Sequence, residues 1–171
     1  MRANEILLDA FGRLPELVGG AVDGLTAEQL RWAPGDGANT IGWLVWHLTR
    51  VQDDHVAEVM GTEQLWAGGD FAESFGLKPD AANTGYGHGP RDVAAVRPRN
   101  AQALIDYYTA VHERTVAWIA TLTDAELDRV VDERWDPPVT LGVRLVSVYD
   151  DDAQHAGQAA YLRGLLPKAG V

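Results

Sequence analysis

In the stretch Thr140-Leu141-Gly142-Val143-Arg144-Leu145-Val146-Ser147-Val148-Tyr149-Asp150-Asp151-Asp152-Ala153-Gln154-His155-Ala156-Gly157-Gln158, the apolar residues Leu141, Leu145 and Val148 open a series continued by Ala159, Leu162 and Leu166. Their spacing is that of a helix with one buried stripe. Asp152 and His155 interrupt the stripe, with Asp151 and Gln158 beside them. An ionised carboxylate is costly inside an apolar face unless it is paired or holds a metal. The stretch therefore predicts a core-facing helix with a polar site built into it.

Working outward, three more long helices are expected. Residues 3–23 carry Ile6, Leu7, Ala10, Leu14, Leu17, Val18 and Ala21 at helical spacing, with Pro15 as a kink or restart. A second helix opens at Asn39 or Thr40 and runs to Met60, stopped by Gly61. A third spans 99–121, with Ala103, Leu104, Tyr107, Val111, Thr115, Trp118 and Ile119 as its core stripe. Thr26 with Gln29, and Thr123 with Glu126, have the spacing of capping boxes that open short helical turns. Pro34-Gly35-Asp36-Gly37 and Arg134-Trp135-Asp136-Pro137-Pro138 are loops, and a short helix fits within 66–75. No strand pattern of any length is visible, so the class is all-α.

An internal echo accompanies these elements. Leu25-Thr26 and Leu122-Thr123 each precede a loop and then a helix opening Thr40-Ile41-Gly42 or Thr140-Leu141-Gly142, as in a four-helix bundle of two related halves. The first and last helix pairs are joined by roughly 15–18 residues, whereas the second and third are separated by about forty, enough to recross a bundle. That crossover, glycine-rich around Thr84-Gly85-Tyr86-Gly87-His88-Gly89-Pro90, predicts an up-down-down-up order. Residues 1–171 are expected to form a single domain.

Composition narrows the function. A formal net charge of -11 and pI near 4.7, with 14 scattered basic residues, argue against a nucleic-acid or anionic-membrane partner. No apolar run approaches a membrane span and Met1-Arg2-Ala3-Asn4-Glu5 is not a signal peptide, so a cytoplasmic protein is expected. With no cysteine, any thiol chemistry needs a thiol from outside. Phosphate-binding, dinucleotide and nucleophile-elbow motifs are lacking too.

Five histidines are available. His155 shares a helix face with Asp151 and Asp152, and zinc, iron or nickel favours such nitrogen and oxygen ligands. A third ligand must come from another helix. His47 lies about 10 Å into the second helix and His155 about 15 Å before the end of the fourth, levels that match if the two run antiparallel. His55 is a rival, being nearer the centre of the stripe through Ile41, Leu44, Leu48, Val51 and Val59. Spacing leaves both open, and leaves Asp151 and Asp152 open. Asp54 is a candidate extra ligand or supporting acceptor, although Asp53 and Asp54 together also read as a solvated face. His112 reads as structural, and His88 as a residue able to reach substrate from the loop. Trp43, Trp46 and Trp118 read as core or pocket wall.

At these residues the chain resembles a known family. Gly42-Trp43-Leu44-Val45-Trp46-His47-Leu48, the long loop, and Asp151-x-x-x-His155-x-Gly157-Gln158 resemble the DinB-like four-helix bundles, and within them the actinobacterial branch of mycothiol-dependent transferases and maleylpyruvate isomerase-like enzymes. The likeness runs from about residue 5 to about 166. It implies an up-down-down-up bundle and a divalent metal (zinc, nickel or iron) bound by a histidine of the second helix and a pair four residues apart on the fourth. Carried over, these positions fall on His47, Asp151 and His155, with Gln158 supporting them. Many relatives have histidine at the first position of the pair; Asp151 fits the acidic variant of the isomerase-like branch. The resemblance further implies mycothiol as cosubstrate, activated for S-transfer to, or isomerisation of, a small electrophile. The alternatives are a non-catalytic metal- or ligand-binding stress protein, and a homodimeric bundle with a vestigial site in which Asp151 pairs with Arg144 or another cation.

Overall fold

The computed structural model describes residues 2–170, apart from the side chains of Lys168 and Ala169. Its four long helices are α1 (Ala3–Val22), α3 (Ile41–Met60), α6 (Ala101–Ile119) and α8 (Leu141–Ala169). Local chemistry sets their ends. The Thr40 and Thr140 hydroxyls accept from the backbone N–H of Trp43 and Val143, and Asn100 does the same for Ala103. Gly61, at φ 68°, closes α3 in the left-handed conformation. Pro15 neither breaks nor restarts α1, which is continuous through it.

Side-chain bonds fix the helix directions. His55 meets Arg144 near the start of α8 while His47 meets His155 further along, so α3 and α8 are antiparallel. Arg50 meets Tyr107, and Gln52 meets Thr115 further along, so α3 and α6 are parallel. Asn4 at the start of α1 bonds the Ile119 carbonyl at the end of α6, making that pair antiparallel. Arg163 late in α8 bonds the Asp23 carbonyl just past α1, making those two parallel. The order is up-down-down-up, as the connection lengths predict.

The short capped turns become α2 (Ala27–Arg31) and α7 (Asp124–Leu127). They account for the internal echo. A Cβ on Gly42 would lie 3.0 Å from the Leu30 carbonyl oxygen, and one on Gly142 would lie 3.4 Å from that of Leu127. In each half the capped turn packs over the helix start; in the first half it comes close enough to require the glycine, whereas at Gly142 the approach is an ordinary contact.

The crossover is more structured than expected. It holds α4 (Leu65–Gly68), a short 3-10 turn (Ala72–Phe75) and α5 (Pro90–Ala95). The single short helix expected at 66–75 is split by Gly69 and Asp70, and α5 uses proline at its first position after the glycine-rich run. Trp66 and Phe75 are fully buried and pack on Tyr107 of α6, ring centroids 5.3 and 6.1 Å away, which pins the crossover across the bundle. The absence of strands is corrected: β1 (Val130–Asp132) and β2 (Val139–Thr140) pair antiparallel around the Pro137-Pro138 loop. Strands of three and two residues are too short to show a two-residue period.

Candidate functional site

Bundle geometry and crossover together build one cluster. His47 of α3 and Asp151 and His155 of α8 bring one potential ligand atom each to within 4.8 Å of one another. His47 is buried, and the other two are half-buried. His155 Nε2 lies 3.5 Å from Asp151 Oδ1, and the two imidazoles meet edge to face at 4.9 Å.

Outer contacts aim each ring. His47 Nδ1 is 2.6 Å from the Thr84 carbonyl oxygen, which can only accept, so Nδ1 carries the proton and Nε2 is left bare. His155 Nδ1 is likewise held 2.9 Å from Gln158 Oε1. An outer acceptor on one nitrogen and a free second nitrogen is the usual arrangement of metal-binding histidines. Asp151 Oδ2 is buried with no hydrogen-bond partner. Burial lowers the His47 pKa, against the opposing pull of Thr84 and Asp151. That of His155 is raised, chiefly by its hydrogen bond to Asp151. A buried Asp151 oxygen without a partner and the bare His47 nitrogen, beside His155, make a donor set that fits a divalent metal.

The crossover closes over this cluster. Trp43 stacks on His47 with centroids 4.6 Å apart and donates from Nε1 to His88 Nδ1, whose Nε2 in turn bonds Asn83 Oδ1 at 2.9 Å. His88, read as a substrate contact, is a link in this chain. Gly85, at φ 93°, passes so close that a Cβ would lie 2.7 Å from His47 Nδ1 and 2.9 Å from the Trp46 ring. Gly85→Ala is expected to cost about 2–5 kcal/mol in urea unfolding, from left-handed strain plus overpacking. Gly87→Ala, also at positive φ (75°) but with nothing within 4 Å, should show only the smaller conformational part. Equal losses at the two glycines would remove the close-approach argument.

The other candidates lie outside the cluster. His55 lines the neighbouring wall and takes a hydrogen bond on Nδ1 from Arg144, 3.1 Å away; burial and this guanidinium lower its pKa. Arg144, considered above as a partner for Asp151, instead pairs with Glu58 at 2.6 Å and Asp132 at 3.2 Å. Asp152 is fully buried in the core, neither oxygen partnered. Asp54 lines the cavity and accepts from Gln64 Nε2 at 2.6 Å, while Asp53 is wholly buried, which corrects the reading of this pair as a solvated face. His112 is half-buried beside Tyr108. Trp43 and Trp46 are core, and Trp118 is half-buried. Sequence reasoning missed Asn83, Thr84 and Gly85, of which Thr84 and Gly85 act through backbone and Asn83 through both its carbonyl and its side chain; the glycine-rich loop was the one visible signal.

A cavity of about 500 Å³ opens on the cluster, lined by His47, Val51, Asp54, His55, Thr84, Tyr86 and Asp151. It shares Val51, His55 and Asp151 with a second cavity of about 450 Å³ that extends to Arg134, Trp135 and Arg144. Among the described residues no helix is long and apolar enough to cross a membrane.

The whole-chain arrangement has a solved counterpart. The chain is similar to a conserved protein of Enterococcus faecalis at 28% identity, covering 98% of this chain and 99% of that one with a TM-score of 0.89. No curated protein matches it. A family model described as mycothiol-S-transferase matches residues 7–167. Since that match takes in all but the outer ends of the four long helices, with the His47–Asp151–His155 cluster, the chain belongs to the mycothiol-S-transferase family, in keeping with its resemblance to the DinB-like bundles.

Proposed function

We infer that the chain is a divalent-metal-dependent transferase that activates a low-molecular-weight thiol, mycothiol, for reaction with a small electrophile. His47, Asp151 and His155 are the ligands of a zinc, nickel or iron ion, and Gln158 and the Thr84 carbonyl orient the two imidazoles. The observation that carries the reading is the cluster itself: three ligand atoms within 4.8 Å, with both histidine Nδ1 atoms engaged by outer acceptors. A bound divalent cation supplies Lewis acidity there, under which a coordinating thiol gives up its proton readily. The absence of cysteine from the chain leaves no protein thiolate to compete for the position.

The remaining work belongs to the cavity. Val51 offers an apolar wall, and Tyr86, 94% exposed, and Trp135, 65% exposed, are free aromatic edges along the joined cavities. With Nδ1 accepting from Arg144, neutral His55 carries its proton on Nε2 and can donate it in a hydrogen bond to an oxygen of the electrophile. We place this chemistry in the cytoplasm, where small thiols stay reduced, in a chain acting as one domain.

The test is metal analysis of protein grown with zinc, nickel and iron, followed by turnover of mycothiol with a panel of electrophiles. About one metal per chain is expected in the wild type, and a large loss in His155→Ala and His47→Ala. His55→Ala should keep the metal. Equal, near-zero metal in wild type and His155→Ala would overturn the metal assignment; metal without turnover would leave a binding protein.

A further inference from the structure

We propose that Arg50 is a positioning residue for His47, acting through the crossover. Arg50 is fully buried on α3, one turn beyond His47. Its Nε donates to the Asn83 carbonyl and its Nη2 to the Ala81 carbonyl, each at 3.0 Å. The next carbonyl along, that of Thr84, accepts from His47 Nδ1 at 2.6 Å. One rigid guanidinium therefore anchors the backbone immediately before the group that fixes the His47 tautomer.

The directions of these bonds separate this role from a plain buried ion pair. Asp53 is a looser partner of Arg50, at 3.4 Å, than either crossover carbonyl. The planar fork can hold two carbonyls at a fixed separation, which a lysine ammonium cannot do. An isolated imidazole can carry its proton on either nitrogen; with the proton on Nε2, His47 would present a proton to Asp151 and His155 instead of a lone pair. Arg50 thus selects, at one remove, the form of His47 able to ligate. The metal part of this inference rests on the function proposed above, whereas the tautomer part does not.

The experiment is nitrogen NMR of labelled histidine in the full chain without metal, together with zinc titration of the same samples. In the wild type His47 should be a single neutral form with its proton on Nδ1. Arg50→Lys should show mixed tautomers and bind zinc about 10–100-fold more weakly, the usual effect of losing an outer contact to a ligand. A glycine inserted between Asn83 and Thr84 leaves every bond of Arg50 in place but lengthens its link to Thr84. It should produce the same two changes, and it decides the matter if Arg50→Lys does not fold. A folded Arg50→Lys protein or insertion variant with wild-type tautomer and zinc affinity overturns the proposal. A wild type that binds no zinc, yet shows a fixed tautomer that the variants lose, overturns the metal reading and supports the positioning role.

Discussion

Asp53→Ala is expected to destabilise the fold by about 3–5 kcal/mol, the range for removing one partner of a buried ion pair. Asp53 is fully buried and accepts from the backbone N–H of Leu65 and Trp66 at 3.0 and 2.8 Å. The Tyr107 hydroxyl donates to it at 2.8 Å, and Arg114 and Arg50 pair with it at 2.7 and 3.4 Å. One carboxylate thus joins α3 to α6 and to the start of α4. Alanine leaves the Arg50 charge buried without a counter-ion and strands two backbone donors. Urea unfolding and thermal melting measure the loss, which corresponds to a fall of roughly 6–20 °C for a chain of this size. A loss below about 1 kcal/mol would show that the carbonyls around Arg50 suffice to hold its charge. Asp53→Asn, which keeps an acceptor for the backbone donors, should fall between the two.

This network also explains where the sequence was silent. Helix spans and caps are local properties, so Thr40, Gly61 and Thr140 mark boundaries that the structure keeps, and the third helix, expected over 99–121, runs over Ala101–Ile119. The up-down-down-up order was legible because about forty residues between two helices leave room to recross. The choice between His47 and His55 was not. A helix in a bare bundle buries one stripe, on which His55 sits nearer the centre; here Ile41 to Arg50 is buried all round, because the crossover covers the face that a bundle would leave open. The backbone that aims His47, at Thr84 and Gly85, has no side-chain pattern to find. Adjacent acids are ambiguous for a related reason. Neighbours on a helix point about 100° apart, and only the packed partners decide which enters a site, a network or the core. Asp151 falls in the cluster, Asp53 in the network and Asp152 in the core.

Asp152 should behave in the opposite way to Asp53, although both are fully buried carboxyl groups. Neither oxygen of Asp152 has a hydrogen-bond partner, and burial, with a smaller push from Asp151, drives its pKa far above the usual carboxylate range. Asp152→Asn, which cannot ionise, is therefore expected to melt at a higher temperature than the wild type in the metal-free protein at pH 7.5. Asp152→Leu, which also removes the unpartnered polar atoms, should gain about a further 1–3 kcal/mol, the cost of an unsatisfied buried group, or roughly 2–12 °C, where the longer side chain fits. The pH dependence fixes the cause. In the unfolded chain Asp152 ionises near pH 4, whereas in the fold it holds its proton to a higher pH. Its burial is cheapest below the unfolded pKa, and the fold loses stability relative to the unfolded chain as pH rises towards the folded value. The advantage of Asp152→Asn should accordingly be small near pH 4 and grow towards neutrality. Melting curves of both proteins at pH 4.5, 6 and 7.5, with chelator present, measure it. A constant gap would assign the gain to packing, and a destabilised Asp152→Asn would mean that the ionised carboxylate has a partner in solution, since only a bound cation or ordered water could then satisfy it at that depth.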